Sequence, residues 1–477
     1  MSGELQGRGQ GGAHASGADD ADGEPRGAVL GVRGVCTHAT VAFPFQSALG
    51  TGRFLVMLTL SGDRPPVVHR LWAAAPARPE TGYPRGARRG MIPRMSDKTE
   101  DEQRPSMRER RRTAIRTAPR VLSRGGWRGT LRERLTGLTE AAPEVYDLDE
   151  PADIYGDGVV SALERRVAEL LGTEAAVFFP TGTMAQQVAL RCWAARTGNP
   201  AVALHALSHP EVHERHAFSQ VSGLRPVTVS QEPRPVTAAD VHGLDEPVGA
   251  LMLELPLRDA GFLLPSWEEL TGAVDAARER EAVVHFDGAR LWEATEHFGR
   301  PLEEIAALAD SVYVSFYKSL GGLGGAALAG PASLVEEART WRHRYGGTVF
   351  QQFPTALSAL AGLDRELPRL PEYVRHARVV AAALREGFAE AGLPWARVHP
   401  EVPHTHDFQV WLPFDPEVLA EAAVRQAEET GTLLFGDGWD SRGPGLSFTE
   451  TGVRAAGLEW TARDVRDAAV DFAGRLG

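Results

Sequence analysis

The chain has 477 residues, 43% of them hydrophobic, enough for two ordinary domains or one large α/β domain with a smaller companion. Its formal net charge of -12 argues against a general nucleic-acid binder, because phosphate contacts need an excess of positive charge. No run approaches the roughly 20 apolar residues that span a bilayer, and two cysteines, Cys36 and Cys192, cannot make a disulfide framework.

A soluble cytoplasmic protein is the expectation, with Cys192 a buried small hydrophobe. The most apolar early stretch, Phe54 to Leu60, is too short and too far from the N-terminus for a signal peptide. The 51 basic residues include only two lysines, Lys98 and Lys318; all others are arginine. A lysine retained in such a sequence stands out, because only an amine can deprotonate near neutral pH and form a Schiff base. Lys98 lies in a polar stretch, where chance accounts for it.

Residues 1–95 mix Gly, Ala, Arg and Pro without a sustained period of 2 or 3.6, and read as disordered. Met91 or Met95 is an alternative start, in which case that stretch is not normally translated. Residues 96–150 form an arginine-rich N-terminal arm, dense from Arg104 to Arg134, expected to be a solvated helix or to lie across a partner subunit.

From Tyr155 the pattern alternates between strands and helices. Ser161 and Glu164 read as a capping box before Leu163, Val167, Leu170 and Leu171, with Gly172 as the stop. Strands are expected at Ala175–Phe179, Ala201–His205, Pro226–Val229, Ala250–Leu255, Val283–Phe286, Val312–Phe316 and Ala326–Ala329, with helices from Met184 and over Ser266–Glu281. This succession predicts an α/β large domain over 151–392, a mainly parallel seven-stranded sheet covered by helices on both faces. Beyond Phe353, long helices lead to Gly392. A small α+β domain over 393–477 follows, with strands near Phe408–Leu412, Thr432–Phe435 and Leu446–Thr449 and a last helix at Ala462–Leu476.

Three segments carry chemistry. Pro180-Thr181-Gly182-Thr183-Met184 joins a strand to a helix start, where free N–H groups and a hydroxyl can seat a phosphate; an ordinary βα turn is the alternative. Asp287, followed by Gly288, Ala289 and Arg290, stands just past a strand, where ligands gather in open α/β sheets. A buried aspartate there needs a partner, which a protonated pyridine nitrogen would supply; a helix cap or a metal are the alternatives. Ser311 to Lys318, including Ser315, reads as a strand delivering a lysine to the same edge, before Gly321, Gly322, Gly324 and Gly325. Those glycines do not meet the dinucleotide-loop spacing.

The order of these elements resembles the threonine aldolases and related β-eliminating lyases, across Tyr155-Gly156-Asp157-Gly158, the Gly182-Thr183 turn, Asp287-Gly288-Ala289-Arg290-Leu291-Trp292 and the Lys318 segment. The likeness runs from about residue 150 to 390. It implies the aspartate-aminotransferase fold of pyridoxal-phosphate-dependent transferases, a homodimer or homotetramer with sites at subunit interfaces, an amino-acid substrate and no metal. Lys318 would hold pyridoxal phosphate as a Schiff base, Asp287 would pair with its ring nitrogen, and Gly182 and Thr183 would hold its phosphate. Ser315 is a further cofactor contact, and Arg290 would lie beside the cofactor or the substrate carboxylate. His209, five residues before Glu214, matches the family's ring-facing histidine and is the candidate base; His213 and His216 compete with it. Arg344 is a further candidate to reach a phosphate. The family's C-terminal arginine for the substrate carboxylate is missing from Gly445–Thr449, and Arg442 is the candidate substitute. The implied reaction is Cα–Cβ cleavage of a β-hydroxy-α-amino acid to glycine and an aldehyde. β-Elimination, racemisation, transamination and a non-catalytic role stand as alternatives.

Overall fold

The computed structural model describes residues 106–123 and 129–476 and, nearer the N-terminus, the backbone of three strands. The chain divides into two compact units, Met1–Asp97 and Lys98–Gly477. In the first, β1 (His38–Ser47), β2 (Gly50–Thr59) and β3 (Val67–Leu71) pair antiparallel in that order. They lie within the stretch expected to be disordered or not normally translated, and the run Phe54–Leu58 within β2 is apolar throughout, so it shows no period of 2. The remainder of residues 1–105, with Cys36, Met91, Met95 and Lys98, lies outside the described residues.

The second unit is built on a seven-stranded sheet. Its strands are β5 (Ala175–Phe179), β6 (Ala201–His205), β7 (Arg225–Ser230), β8 (Ala250–Glu254), β9 (Val283–Gly288), β10 (Ser311–Ser315) and β11 (Ala326–Gly330), all predicted to within two residues. (The short β4, Arg120–Val121, lies apart from them.) Their order is β5-β11-β10-β9-β8-β6-β7, and β11 alone runs against the others. Such strands are near-continuous apolar runs because both faces of the sheet are covered. Alternation along β9 shows the two faces. Val284 and Phe286 enter one core with Leu163 and Val167 of the helix Gly158–Leu171. His285 points the other way, with Nε2 2.6 Å from Gln186 Oε1 on the helix Gly182–Thr197, and Asp287 lies on that same face by period.

The helix Gly158–Leu171 starts before the expected capping box. Tyr155, Gly156 and Gly158 have positive φ, and the turn they form places Asp157 at the cap. Glu164 is therefore an inward-facing residue, accepting the Phe178 N–H at 2.8 Å and pairing with Arg339 and Arg342. Gly172 ends the helix with φ of 62°, as expected. The capping box of Ser266 and Glu269 forms at the head of Trp267–Glu279.

The C-terminal layer is an antiparallel sheet, β12-β13-β16-β15, comprising Arg397–His399, Asp407–Leu412, Leu446–Gly452 and Asp440–Gly443. β12 and β15 escape a hydrophobic pattern search because they are short, polar edge strands. β14 (Thr432–Leu433) leaves this sheet and pairs in parallel with β4. The arginine-rich arm is thus partly folded onto its own chain. Its helix Met107–Thr117 sets Arg110 against Glu421 and Glu428 at 2.8 and 2.6 Å, and Ala114, Ala118 and Leu122 enter the core of the C-terminal layer. Arg120 of the arm pairs with Asp464 at 2.7 Å.

Candidate active site

The C-terminal ends of β9 and β10 and the start of helix Gly182–Thr197 converge on a cavity of about 380 Å³. Thr181, Gly182, Thr183, His209, Asp287 and Lys318 line it together. At the helix start, Thr181 Oγ1 accepts the Met184 N–H, while the N–H groups of Gly182 and Thr183 have no helical carbonyl behind them. Gly182 is required sterically, since a Cβ there would collide with the Tyr313 hydroxyl. Thr183 Oγ1 donates to Glu214 Oε1 at 2.9 Å, and the same oxygen lies 3.2 Å from His209 Nδ1. The five-residue spacing from His209 to Glu214 is thus a direct contact.

Lys318 follows β10 and precedes a turn in which Gly321 and Gly325 have φ of 69° and 84°. Burial brings its amine down to about 8, with Arg290 adding to the effect and Asp287 and Glu254 opposing it. Asp287, 2% exposed, accepts the Ala289 N–H at 3.1 Å. Burial pushes its carboxyl up, against the pull of Lys318 and His209. Among the described residues no cationic nitrogen lies within 4 Å of it.

Four candidates sit elsewhere. Ser315 is fully buried and gives its hydroxyl to Ala289 O at 2.9 Å, tying β10 to the segment after Asp287 and not facing the cavity. Arg442 is exposed, its guanidinium 4.8 Å from the Phe448 ring centroid, because its strand is the outer edge of the C-terminal sheet. Arg344 is exposed and stacks on Trp341. His213 is turned to Asp259, with Nε2 2.7 Å from Oδ2. Cys192 is buried as expected, and burial pushes its thiol up to about 12.

A second cavity, about 370 Å³, is lined by Arg258, Arg290, Arg454, Asp407 and Glu450 among others. Arg290 Nε lies 3.2 Å from Asp407 Oδ2 and its guanidinium 5.0 Å from the Phe262 ring. Arg454 donates to Ser319 O at 3.1 Å, beside Lys318, and reaches within 4.0 Å of Asp407. Arg258 pairs with Glu450 at 2.9 Å across the two layers. Behind Asp407, the buried His406 sits between Glu293 and Asp407, at 3.3 and 3.5 Å. Sequence reasoning missed Glu254, Arg258 and Arg454. The strand-end rule that found Asp287 applies equally to Glu254, at the end of an expected strand; Arg454, two residues beyond β16 of the antiparallel layer, carries no such signal.

These residues fit pyridoxal phosphate. The helix start with its obligatory glycine suits a phosphate, the unpaired Asp287 suits a protonated ring nitrogen, and the lone lysine of the cavity suits a carbonyl partner.

Residues 145–405 match the family model of beta-eliminating lyases. The chain is 32% identical over 263 residues to a low specificity L-threonine aldolase of Escherichia coli strain K12, covering 50% of this chain and 73% of that protein. It is also 32% identical over 303 residues to the alanine racemase TOXG of Cochliobolus carbonum, covering 60% and 74%. A crystal structure of a putative L-allo-threonine aldolase from Listeria monocytogenes superposes with a TM-score of 0.71 at 34% identity, covering 78% of this chain and 100% of that one. The match exceeds half the chain and includes every residue that lines the cofactor-sized cavity: this protein belongs to the beta-eliminating lyase family.

Proposed function

We propose that the protein is a pyridoxal-phosphate-dependent lyase that cleaves the Cα–Cβ bond of a β-hydroxy-α-amino acid, giving glycine and an aldehyde. The observation that carries this reading is one cavity shared by Lys318, the unpaired Asp287 and the Gly182 helix start. Pyridoxal phosphate, when bound, supplies an electron sink for the charge left at Cα. Lys318 would hold it through Nζ, Asp287 would keep its ring nitrogen protonated, and Gly182 and Thr183 would anchor its phosphate. His209, oriented by Glu214, is the base that takes the β-hydroxyl proton, directly or through water. Exposed Tyr155 and Phe350, whose rings meet edge-on at 5.4 Å, support a homodimeric or homotetrameric working unit. The two cysteines suit a cytoplasmic setting.

Racemisation is the second reading, favoured by the TOXG relative. Incubating the purified protein with L-threonine, L-allo-threonine and L-alanine separates the two. The expected products are glycine and acetaldehyde from the first two. D-alanine from the third without glycine from the others would overturn cleavage in favour of racemisation.

The substrate carboxylate has two guanidinium candidates, Arg290 and Arg454, in the adjoining cavity. A charge-assisted pair of this kind is worth about 1.5–3 kcal/mol. Arg454→Ala is therefore expected to weaken glycine binding roughly tenfold or more. Arg442→Ala should leave it within about twofold, since an exposed side chain whose guanidinium lies against Phe448 contributes little. Spectral titration with glycine checks both, and the reverse ranking would refute the assignment.

A further inference from the structure

Glu254 ends β8 directly beside Asp287 on β9, where the two are register partners. It does not line the cofactor-sized cavity. Its Oε2 accepts the His209 N–H at 2.7 Å and its Oε1 accepts the Arg258 N–H at 3.2 Å. One carboxylate thus holds the backbones of two residues that reach different cavities, the histidine over the cofactor side and the arginine in the charged cavity. Neither contact is a regular sheet or helix bond, so both depend on this side chain.

Resting on the reading of Lys318 and His209 as cofactor residues, we propose that Glu254 is a positioning residue: it fixes His209 and Arg258 through their amides and supports a positive charge at Lys318. The charged and titratable groups around it are Asp287 on β9, Lys318 beyond β10, Arg290 after β9, Arg258 on its own loop, His205 at the end of β6 and His209 after it. Two buried carboxylates at paired positions repel, and burial together with Asp287 pushes Glu254 up to about 7. Above that pH its charge stabilises the protonated form of the Lys318 nitrogen. Removing the charge must then shift the titration of that nitrogen to lower pH.

Two variants of the holoenzyme separate the two duties. Glu254→Gln keeps the length and one acceptor oxygen but removes the charge. Glu254→Asp keeps the charge but cannot span both amides. In Glu254→Gln the pH midpoint of the visible band of the lysine-linked cofactor is expected to fall by about half a unit or more. In Glu254→Asp that midpoint should stay while kcat falls roughly tenfold, and hydrogen exchange at the His209 and Arg258 amides should accelerate. An unmoved midpoint in Glu254→Gln, or unchanged kcat and exchange in Glu254→Asp, would overturn the proposal. Should Glu254→Gln not fold, Glu254→Asp alone decides. Borohydride trapping of the wild type at Lys318 is the control: its failure would count against the cofactor reading, and its success leaves the Glu254 outcomes to be judged alone.

Discussion

Replacing Lys318 by alanine or by arginine is expected to abolish turnover, lowering it by about 10³-fold or more, the scale lost when a covalent nucleophile is removed. Arginine is the sharper test. It preserves the charge and much of the length, yet a guanidinium stays protonated at any working pH and cannot form a Schiff base. Peptide mapping after borohydride reduction should place the pyridoxyl adduct on Lys318 in the wild type. An adduct elsewhere, or substantial activity in Lys318→Arg, would remove Lys318 from its role. Stability should move in the opposite direction. The amine titrates near 8 in the folded chain against an ordinary 10.5, so the fold pays to hold it protonated. That penalty is fully present below about pH 8 and fades as the pH rises towards 10.5. Cofactor-free Lys318→Ala should therefore melt higher than the wild type at pH 7 and close to it at pH 10.5. Equal melting at pH 7 would show that the amine is better solvated than its position suggests.

Much of this site was legible because parallel α/β sheets concentrate chemistry where strands end. Asp287 and Lys318 each follow an apolar run, and a lysine among arginines is conspicuous in composition alone. The seven strands of the large sheet were recoverable for the same reason, being buried on both faces and apolar almost without interruption. His209 was found through its spacing to Glu214, a contact the fold realises at 3.2 Å.

What could not be read depended on contacts distant in sequence. Ser315 lies on the correct strand and on the face of Asp287, but its hydroxyl is taken by the Ala289 carbonyl, a partner visible only once β10 is laid beside β9. Arg442 is near β16 in sequence, and the edge position of β15 sets it against Phe448. Arg454 reaches the site because β16 lies inside the sheet and ends beside Ser319. The arginine-rich arm likewise makes contacts distant in sequence. Its Arg110 pairs with Glu421 and Glu428, more than 310 residues later.

Asp287→Asn should be the second most damaging change, and it isolates charge from shape because the two side chains are nearly isosteric. Asp287 is 2% exposed, and among the described residues no cationic nitrogen lies within 4 Å of it, so a protonated ring nitrogen would be its direct partner. Breaking a buried ion pair by removing one partner costs about 3–5 kcal/mol. If that pair operates in the transition state, the loss corresponds to about 10²–10⁴-fold in kcat. The cofactor-free protein should respond differently. Burial already pushes the Asp287 carboxyl up, so a neutral amide relieves desolvation and should leave the melting temperature unchanged or raised near neutral pH. Asp287 also holds Glu254 up and supports the positive charge on Lys318. In the variant, the Lys318 amine should lose its proton at lower pH, and Glu254 should ionise more readily. Steady-state kinetics, melting of the cofactor-free protein and spectral pH titration together give a pattern that general destabilisation cannot imitate: kcat down, stability maintained, titration midpoint lowered. A kcat within about fivefold of the wild type, in a variant that still carries cofactor on Lys318, would show that Asp287 only caps the Ala289 amide.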